Sequence, residues 1–258
     1  MTSRIKGSSH ALRRVRGARK LVAKIGIHLG TWNVGSLTTR LRELTEVARK
    51  RQVDILCVQE TRWKGAKVRE VEGTSSRLFF PGLTNENNGV CILINRKLTD
   101  HVIEVHRRGD RLILVRILLG KVFLNVISAY APHERSTGDA KLEFWKALDG
   151  MVSGVPPSEK LFIGGDFNGH VGACGSGYDR IHGGFGLGRK NQAGKDILNF
   201  AESFELMIAN TFFEKNEKHL VTYKSAQHMT QIDYILARRE GREDFSNCKV
   251  ILDECVST

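Results

Sequence analysis

Apolar residues in this chain come in short runs separated by polar and glycine-rich gaps, and their spacing changes along its length. Residues 25–33 (IGIHLGTWN) read as a strand. Leu37, Leu41, Leu44 and Ala48 then recur at helical spacing, which predicts an amphipathic helix over 37–51. Residues 53–59 (VDILCVQ) form a continuous apolar run ending at Glu60, the pattern of a strand buried on both faces. The middle of the chain predicts strands over 77–81, 89–95, 101–107, 111–118 and 121–130, with gaps short enough for antiparallel hairpins. A helix is expected over Ala140–Met151, a buried strand over 160–165, a glycine-rich loop over 172–188 and a helix over 191–204. Strands over 219–224, 231–237 and 247–252 complete the pattern. Two halves that each mix strands with a helix predict an α/β fold, two sheets packed together with helices outside. No Pro- or Ser-rich linker divides them, so one domain is expected.

Composition bounds this picture. Hydrophobic residues make up 41% of the 258, enough for a sizeable core. No run approaches the roughly 18 uninterrupted apolar residues of a membrane helix. The longest, Leu112–Tyr130, is broken by Arg116, Gly120, Lys121 and Asn125. The N-terminus lacks the apolar stretch of a secretory signal, so an intracellular protein is expected. Five cysteines, an odd count with no CxxC pair, argue against a disulfide framework and a zinc site.

Charge carries the first functional hint. A net charge of +12 favours polyanions as partners, or serves solubility alone. The first 24 residues hold Arg4, Lys6, Arg13, Arg14, Arg16, Arg19, Lys20 and Lys24 and no acid. Such a block reads as a basic disordered arm that lies along nucleic acid or serves nuclear import, or as a plain solvated tail.

Candidate chemistry gathers at strand ends. Asn33, Glu60, Tyr130, Asp166, Asn168 and Asp233 all stand where apolar runs begin or stop. Carboxylates in such places need compensation, and a hard divalent cation supplies it with few protein ligands. Gly164 and Gly165, just before Asp166, suggest close backbone approach by a ligand. Arg62, Lys64 and Lys67 suit a phosphate groove, although a solvated loop is the plainer reading; Trp63 among them is expected to pack. Residues 188–195 (GRKNQAGK) fail as a P-loop, being one residue too long and followed by Asp196.

Five ordered motifs carry a resemblance. Thr31-Trp32-Asn33-Val34, Gln59-Glu60-Thr61, Ser128-Ala129-Tyr130-Ala131-Pro132, Gly164-Gly165-Asp166-Phe167-Asn168 and Gln231-Ile232-Asp233-Tyr234-Ile235 stand in the order of the endonuclease/exonuclease/phosphatase (DNase I-like) superfamily, over about residues 25–255. Residues 183–201 resemble the endonuclease domains of non-long-terminal-repeat retrotransposons, in the group that includes craniofacial development protein 2-like proteins. The resemblance implies a four-layer α/β sandwich of two mainly antiparallel sheets. It implies Mg²⁺ or Mn²⁺ on Glu60 and Asn33, with no organic cofactor. Asp166 would orient or deprotonate water, Asn168 would hold a phosphate oxygen, and Tyr130 would contact the phosphate or leaving group. Asp233 would fix the imidazole of a catalytic histidine. The implied activity is a DNA-nicking phosphodiesterase of retrotransposon origin, and with the basic N-terminal block it leads to an expected nuclear location.

Two departures qualify that activity. Gly35 stands where some relatives carry an acid. No histidine follows the last expected strand before Thr258, while His133 and His170 stand elsewhere. The domain, residues 25–258, is therefore expected to be incomplete at its C-terminus. A remnant that binds nucleic acid or protein without cleaving, and a phosphatase of small phosphoesters, stay open as alternatives.

Overall fold

Residues 2–5, 26–63, 68–74, 76–81, 88–225 and 228–251 are described by a computed structural model. The first sheet runs, edge to edge, through Phe245–Lys249 (β15), Thr2–Ile5 (β1), Ile27–Asn33 (β2), Ile55–Gln59 (β3), Val90–Ile94 (β6), Ser76–Phe79 (β5) and Val68–Val71 (β4). The second runs through Leu206–Ile208 (β11), Asp233–Arg238 (β14), Lys160–Asp166 (β10), Val122–Tyr130 (β9), Leu112–Leu119 (β8) and Val102–Arg108 (β7). Tyr223–Ser225 (β12) and His228–Thr230 (β13) pair as a separate hairpin. Only β2 with β3 and β9 with β10 run parallel among the described pairs, so the sheets are mainly antiparallel as expected.

The continuous apolar runs are explained by burial on both faces. In β8, Ile113, Val115 and Ile117 point between the sheets, where they meet Ile55, Cys57, Ile92 and Ile94. The outer face of the first sheet is covered by Leu41–Lys50 (α1), whose Leu44 and Ala48 pack on Leu56, Val58 and Leu93. One helical turn, Arg96–Thr99 (α2), leads from β6 toward β7 and is capped by Asn95 Oδ1, which accepts from Lys97 N–H (2.7 Å). On the second sheet, Leu112 and Leu114 face outward under Gly138–Ser153 (α3) and Gln192–Ser203 (α4), against Phe144, Leu148 and Ile197. Period-2 alternation thus feeds two cores at once, and the result is a helix–sheet–sheet–helix sandwich.

Several boundaries differ from the sequence reading. The helix expected from residue 37 starts at Leu41, because residues 37–40 form a turn closed by Arg40 N–H to Leu37 O (3.1 Å). Of the strand expected over 219–224, only Tyr223 and Lys224 are strand, in β12, and the 3-10 turn Glu217–His219 precedes them. Within the supposed disordered arm, Thr2–Ile5 form a strand paired antiparallel to both β2 and β15; the rest of the arm lies outside the described residues, as do 252–258. β4 and β11 have no counterpart among the expected strands.

The glycine pair before Asp166 serves packing where ligand approach was expected. A Cβ on Gly164 would lie 2.9 Å from Cys57 Sγ, and one on Gly165 would lie 2.4 Å from Ala129 O. At Gly164 the two sheets are in direct contact. Beside that contact, Gln59 is fully buried and bridges them: it accepts from Thr31 Oγ1 (3.1 Å) and donates to Ser128 Oγ (3.1 Å). The residue after it is Glu60.

Candidate active site

Strand register builds the site. Asp166, the last residue of β10, lies opposite Tyr130 on the parallel β9 and opposite Asp233 on the antiparallel β14, so the three form one row across the second sheet. On the first sheet, Asn33 ends β2 opposite Gln59 on β3, which places Glu60 at the same lip. A direct side-chain bond joins the two lips: Asn33 Nδ2 donates to Asp166 Oδ2 (2.9 Å). Asp166 Oδ1 accepts from the Asn168 backbone N–H (3.0 Å), and Asn168 Nδ2 donates to Ala131 O (2.9 Å). Asn33, Glu60, Tyr130, Asp166, Asn168 and Asp233 therefore gather at one end of the two sheets.

Backbone strain concentrates here. Of five described non-glycine residues with positive φ, three are Glu60 (57°), Arg62 (47°) and Asn168 (48°). Left-handed backbone is costly for a side chain such as Glu or Arg and persists where surroundings enforce it. Thr61 N–H binds Gly89 O (3.0 Å) and Arg62 N–H binds Asn88 O (3.0 Å), which clamps the loop from β6. Arg62 Nη2 lies 2.5 Å from Glu60 Oε1, while Lys64 and Lys67 fall outside the described residues. Trp63 packs as expected, its ring 6.0 Å from that of Phe80.

Electrostatics follow from burial. Desolvation pushes Asp166 up to about 6, opposed by the Asn33 and Asn168 hydrogen bonds and by the charge of nearby His133, and assisted by Glu60. Asp233 is pushed up to about 8, by burial first and then by the charge of Asp166 across the strand pair. Two buried carboxyls in register resist simultaneous ionisation. Tyr130 is held well above the ordinary tyrosine range by burial and by Glu60 and Asp166, so it stays a neutral phenol able to donate.

The polar groups fit a hard cation with an open shell. Among the described residues no cluster of three or more His, Cys, Asp or Glu side chains encloses a metal. Mg²⁺ commonly binds through one or two carboxylates plus water and substrate phosphate, and a single carboxylate such as Glu60 is compatible with that requirement. Asp233 Oδ1 is buried with no hydrogen-bond partner among the described residues.

Three neighbours of the site were given no role by the sequence reading. Arg111 places its guanidinium 5.2 Å over the Tyr130 ring, donates from Nη1 to Tyr130 O (3.1 Å) and from Nη2 to Asn88 Oδ1 (2.9 Å). His133 lies within electrostatic reach of Asp166. Gln231, two residues before Asp233, buries both amide atoms without a partner among the described residues. The stretch that fails as a P-loop has another role: Asn191 Oδ1 caps α4 at Gly194 N–H (2.8 Å) and also accepts from His170 N–H (2.9 Å), tying the helix to the loop after Asn168.

Comparison with known proteins agrees with this geometry. Residues 30–247 match the Endonuclease/Exonuclease/phosphatase family. Craniofacial development protein 2 of Bos taurus is 31% identical over 226 residues, 86% of this chain and 37% of that protein. The Tragulus javanicus protein of the same name is 31% identical over 86% of this chain and 38% of its own length. The chain thus spans little more than a third of these relatives. Among solved structures, the endonuclease domain of TRAS1, a telomere-specific non-LTR retrotransposon, superposes with a TM-score of 0.61 at 14% identity, covering 88% of this chain and 91% of that one. The Xenopus laevis APE2 catalytic domain gives 0.59 at 20% identity, covering 83% of each chain. The 3′ phosphatase NExo from Neisseria, in a variant form bound to product DNA hairpin, gives 0.56 at 17% identity, covering 81% of this chain and 85% of that one. These structures share the fold.

Proposed function

The chain belongs to the Endonuclease/Exonuclease/phosphatase family, and from that premise we propose that it is a divalent-metal-dependent phosphodiesterase that nicks DNA and descends from a retrotransposon endonuclease. One observation carries the reading: the Asn33–Asp166 bond gathers the polar ends of two stacked sheets into a single cleft. Mg²⁺ or Mn²⁺, held by Glu60 and Asn33, would supply Lewis-acid polarisation of the scissile phosphate. Asp166, fixed by donors on both oxygens and raised toward neutrality, takes a proton from the attacking water. Tyr130 and Asn168 donate to phosphate oxygens as charge develops on them, and Asp233, whose carboxyl is raised by burial and by the charge of Asp166, stays protonated beside Asp166. Arg62 sits at the mouth to meet the DNA backbone, with Lys64 and Lys67 proposed beside it.

The net charge of +12 and the TRAS1-like fold favour DNA over a small phosphoester. The DNA substrate and the basic N-terminal segment together favour an intracellular, nuclear location. Supercoiled plasmid with Mg²⁺ tests the activity: the chain is expected to produce open circles, and Asp166→Ala to produce none. Equal turnover of soluble phosphoesters and an untouched plasmid would refute it. A second reading is binding of DNA without cleavage, which the net charge of +12 alone would support. Salt-dependent DNA binding with an intact plasmid would select it.

A further inference from the structure

The loop from Glu60 to Arg62 holds more strain than its length requires. Both end residues have left-handed backbone, and both sides of the loop are pinned, by Leu37 N–H to Thr61 O (2.9 Å) and by the bonds from Thr61 and Arg62 to Gly89 and Asn88. With the backbone fixed, only side chains remain free to respond. That backbone brings the Arg62 guanidinium to 2.5 Å from the Glu60 carboxylate, the contact through which Glu60 would hold a cation. The Arg62 side chain is 52% exposed and that of Glu60 20%, so the carboxylate is the more buried partner and the guanidinium reaches it from solvent. An ion pair so exposed is weak and exchangeable. A guanidinium and a divalent cation cannot share one carboxylate oxygen without repulsion.

We propose that Arg62 is a latch: it occupies Glu60 in the metal-free protein, a divalent cation displaces it, and the released guanidinium engages a substrate phosphate. The proposal rests on Glu60 as metal ligand and adds a coupling between metal and DNA. By linkage, DNA that draws Arg62 off Glu60 raises metal affinity by the same factor as metal raises DNA affinity. Arg62 is thus a positioning residue with two alternating partners.

The test measures Mn²⁺ binding to the full chain by electron paramagnetic resonance of free Mn²⁺ and by calorimetry, with and without a phosphorothioate duplex. Arg62→Ala is expected to bind Mn²⁺ about three- to tenfold more tightly than the wild type in the absence of DNA. It is also expected to lose the increase in Mn²⁺ affinity that DNA produces in the wild type. Arg62→Asn, which tolerates left-handed backbone, is expected to do the same and guards against a folding defect. Unchanged Mn²⁺ affinity in both variants, with binding abolished in Glu60→Gln, would overturn the latch and leave the nuclease reading standing. Mn²⁺ binding that ignores Glu60→Gln would overturn both.

Discussion

Asn33 Nδ2 and Asp166 Oδ2 are 133 positions apart in the chain and 2.9 Å apart in space. Their bond crosses from the end of β2 in one sheet to the end of β10 in the other, and Asn33 Oδ1 is itself held by Gly35 N–H (3.0 Å). The amide thus has a fixed orientation, with its donor on the carboxylate. Asn33→Ala removes a charge-assisted bond beneath the cleft and is expected to cost about 1.5–3 kcal/mol of stability. Plasmid nicking is expected to fall at least tenfold in the same variant. Chemical denaturation and a nicking time course measure the two effects, and wild-type behaviour in both would show the bond to be incidental.

Asp233 and Asp166 make stability depend on pH with a definite sign. Both carboxyls titrate higher in the fold than in the unfolded chain, Asp166 at about 6 and Asp233 at about 8. The fold therefore prefers the protonated forms. Their contribution is fully present below the unfolded carboxylate pKa, about 3.9, and is lost as pH rises through the folded values. Asp233→Asn removes the penalty of ionising beside Asp166. In EDTA, its melting temperature relative to the wild type is expected to rise from pH 5 to pH 9; a difference constant with pH would show that the pair does not share its charge.

Gln59 joins the sheets where the cleft begins. Gln59→Leu keeps the volume but removes the donor to Ser128 and the acceptor of Thr31 Oγ1. It leaves the Ser128 hydroxyl with a longer bond to Val58 O (3.3 Å). A loss of about 2–3 kcal/mol in urea denaturation is expected, with reduced nicking because Glu60 follows directly. A stability equal to the wild type would show that the inter-sheet contact tolerates an apolar filling.

Much of this architecture was legible because two buried faces leave a mark. Ile113, Val115 and Ile117 alternate with Leu112 and Leu114, and every position is apolar for one core or the other. Val68–Val71 leaves no such mark, since three of its four residues are exposed, and Thr2–Ile5 is defined by pairing on both sides. The candidate ligands were legible as polar residues at run ends, yet their geometry was not. The positive φ of Glu60 has no signature in its own side chain; the cause lies in Gly89 and Asn88, beside another strand. Arg111 looked like any arginine at a strand start until hairpin register placed it beside Tyr130. Gln231 read as a neighbour of Asp233, and only burial reveals its unpartnered amide.

Gly89 is the outer brace of the latch loop. Its φ is +106°, and an added Cβ would lie 2.5 Å from Thr61 Oγ1. Gly89→Ala is expected to cost about 1–3 kcal/mol and to shift Thr61, releasing the left-handed geometry of Glu60 and Arg62. Mn²⁺ affinity and nicking are expected to fall together, whereas a surface glycine without this contact would move neither. Calorimetry and the plasmid assay on one preparation decide between the two.

Arg111 connects the two lips through a planar fork. One arm reaches Tyr130 O and the other Asn88 Oδ1, and Asn88 in turn holds Asp110 through its amide nitrogen (2.8 Å) and Arg62 through its carbonyl. The guanidinium also lies over the Tyr130 ring, and the Arg111 carbonyl accepts from Tyr130 N–H (3.0 Å). A lysine ammonium is a point charge and cannot span both acceptors while stacking on the ring. Arg111→Lys is therefore expected to keep the charge and still lose at least tenfold in kcat, with KM for DNA changed less. If Arg111 acts by positioning Tyr130, Arg111→Ala and Tyr130→Phe lose rate non-additively, the double variant falling little below the worse single one. Full rescue by lysine would reduce Arg111 to a source of positive potential. Additive losses would separate it from the tyrosine.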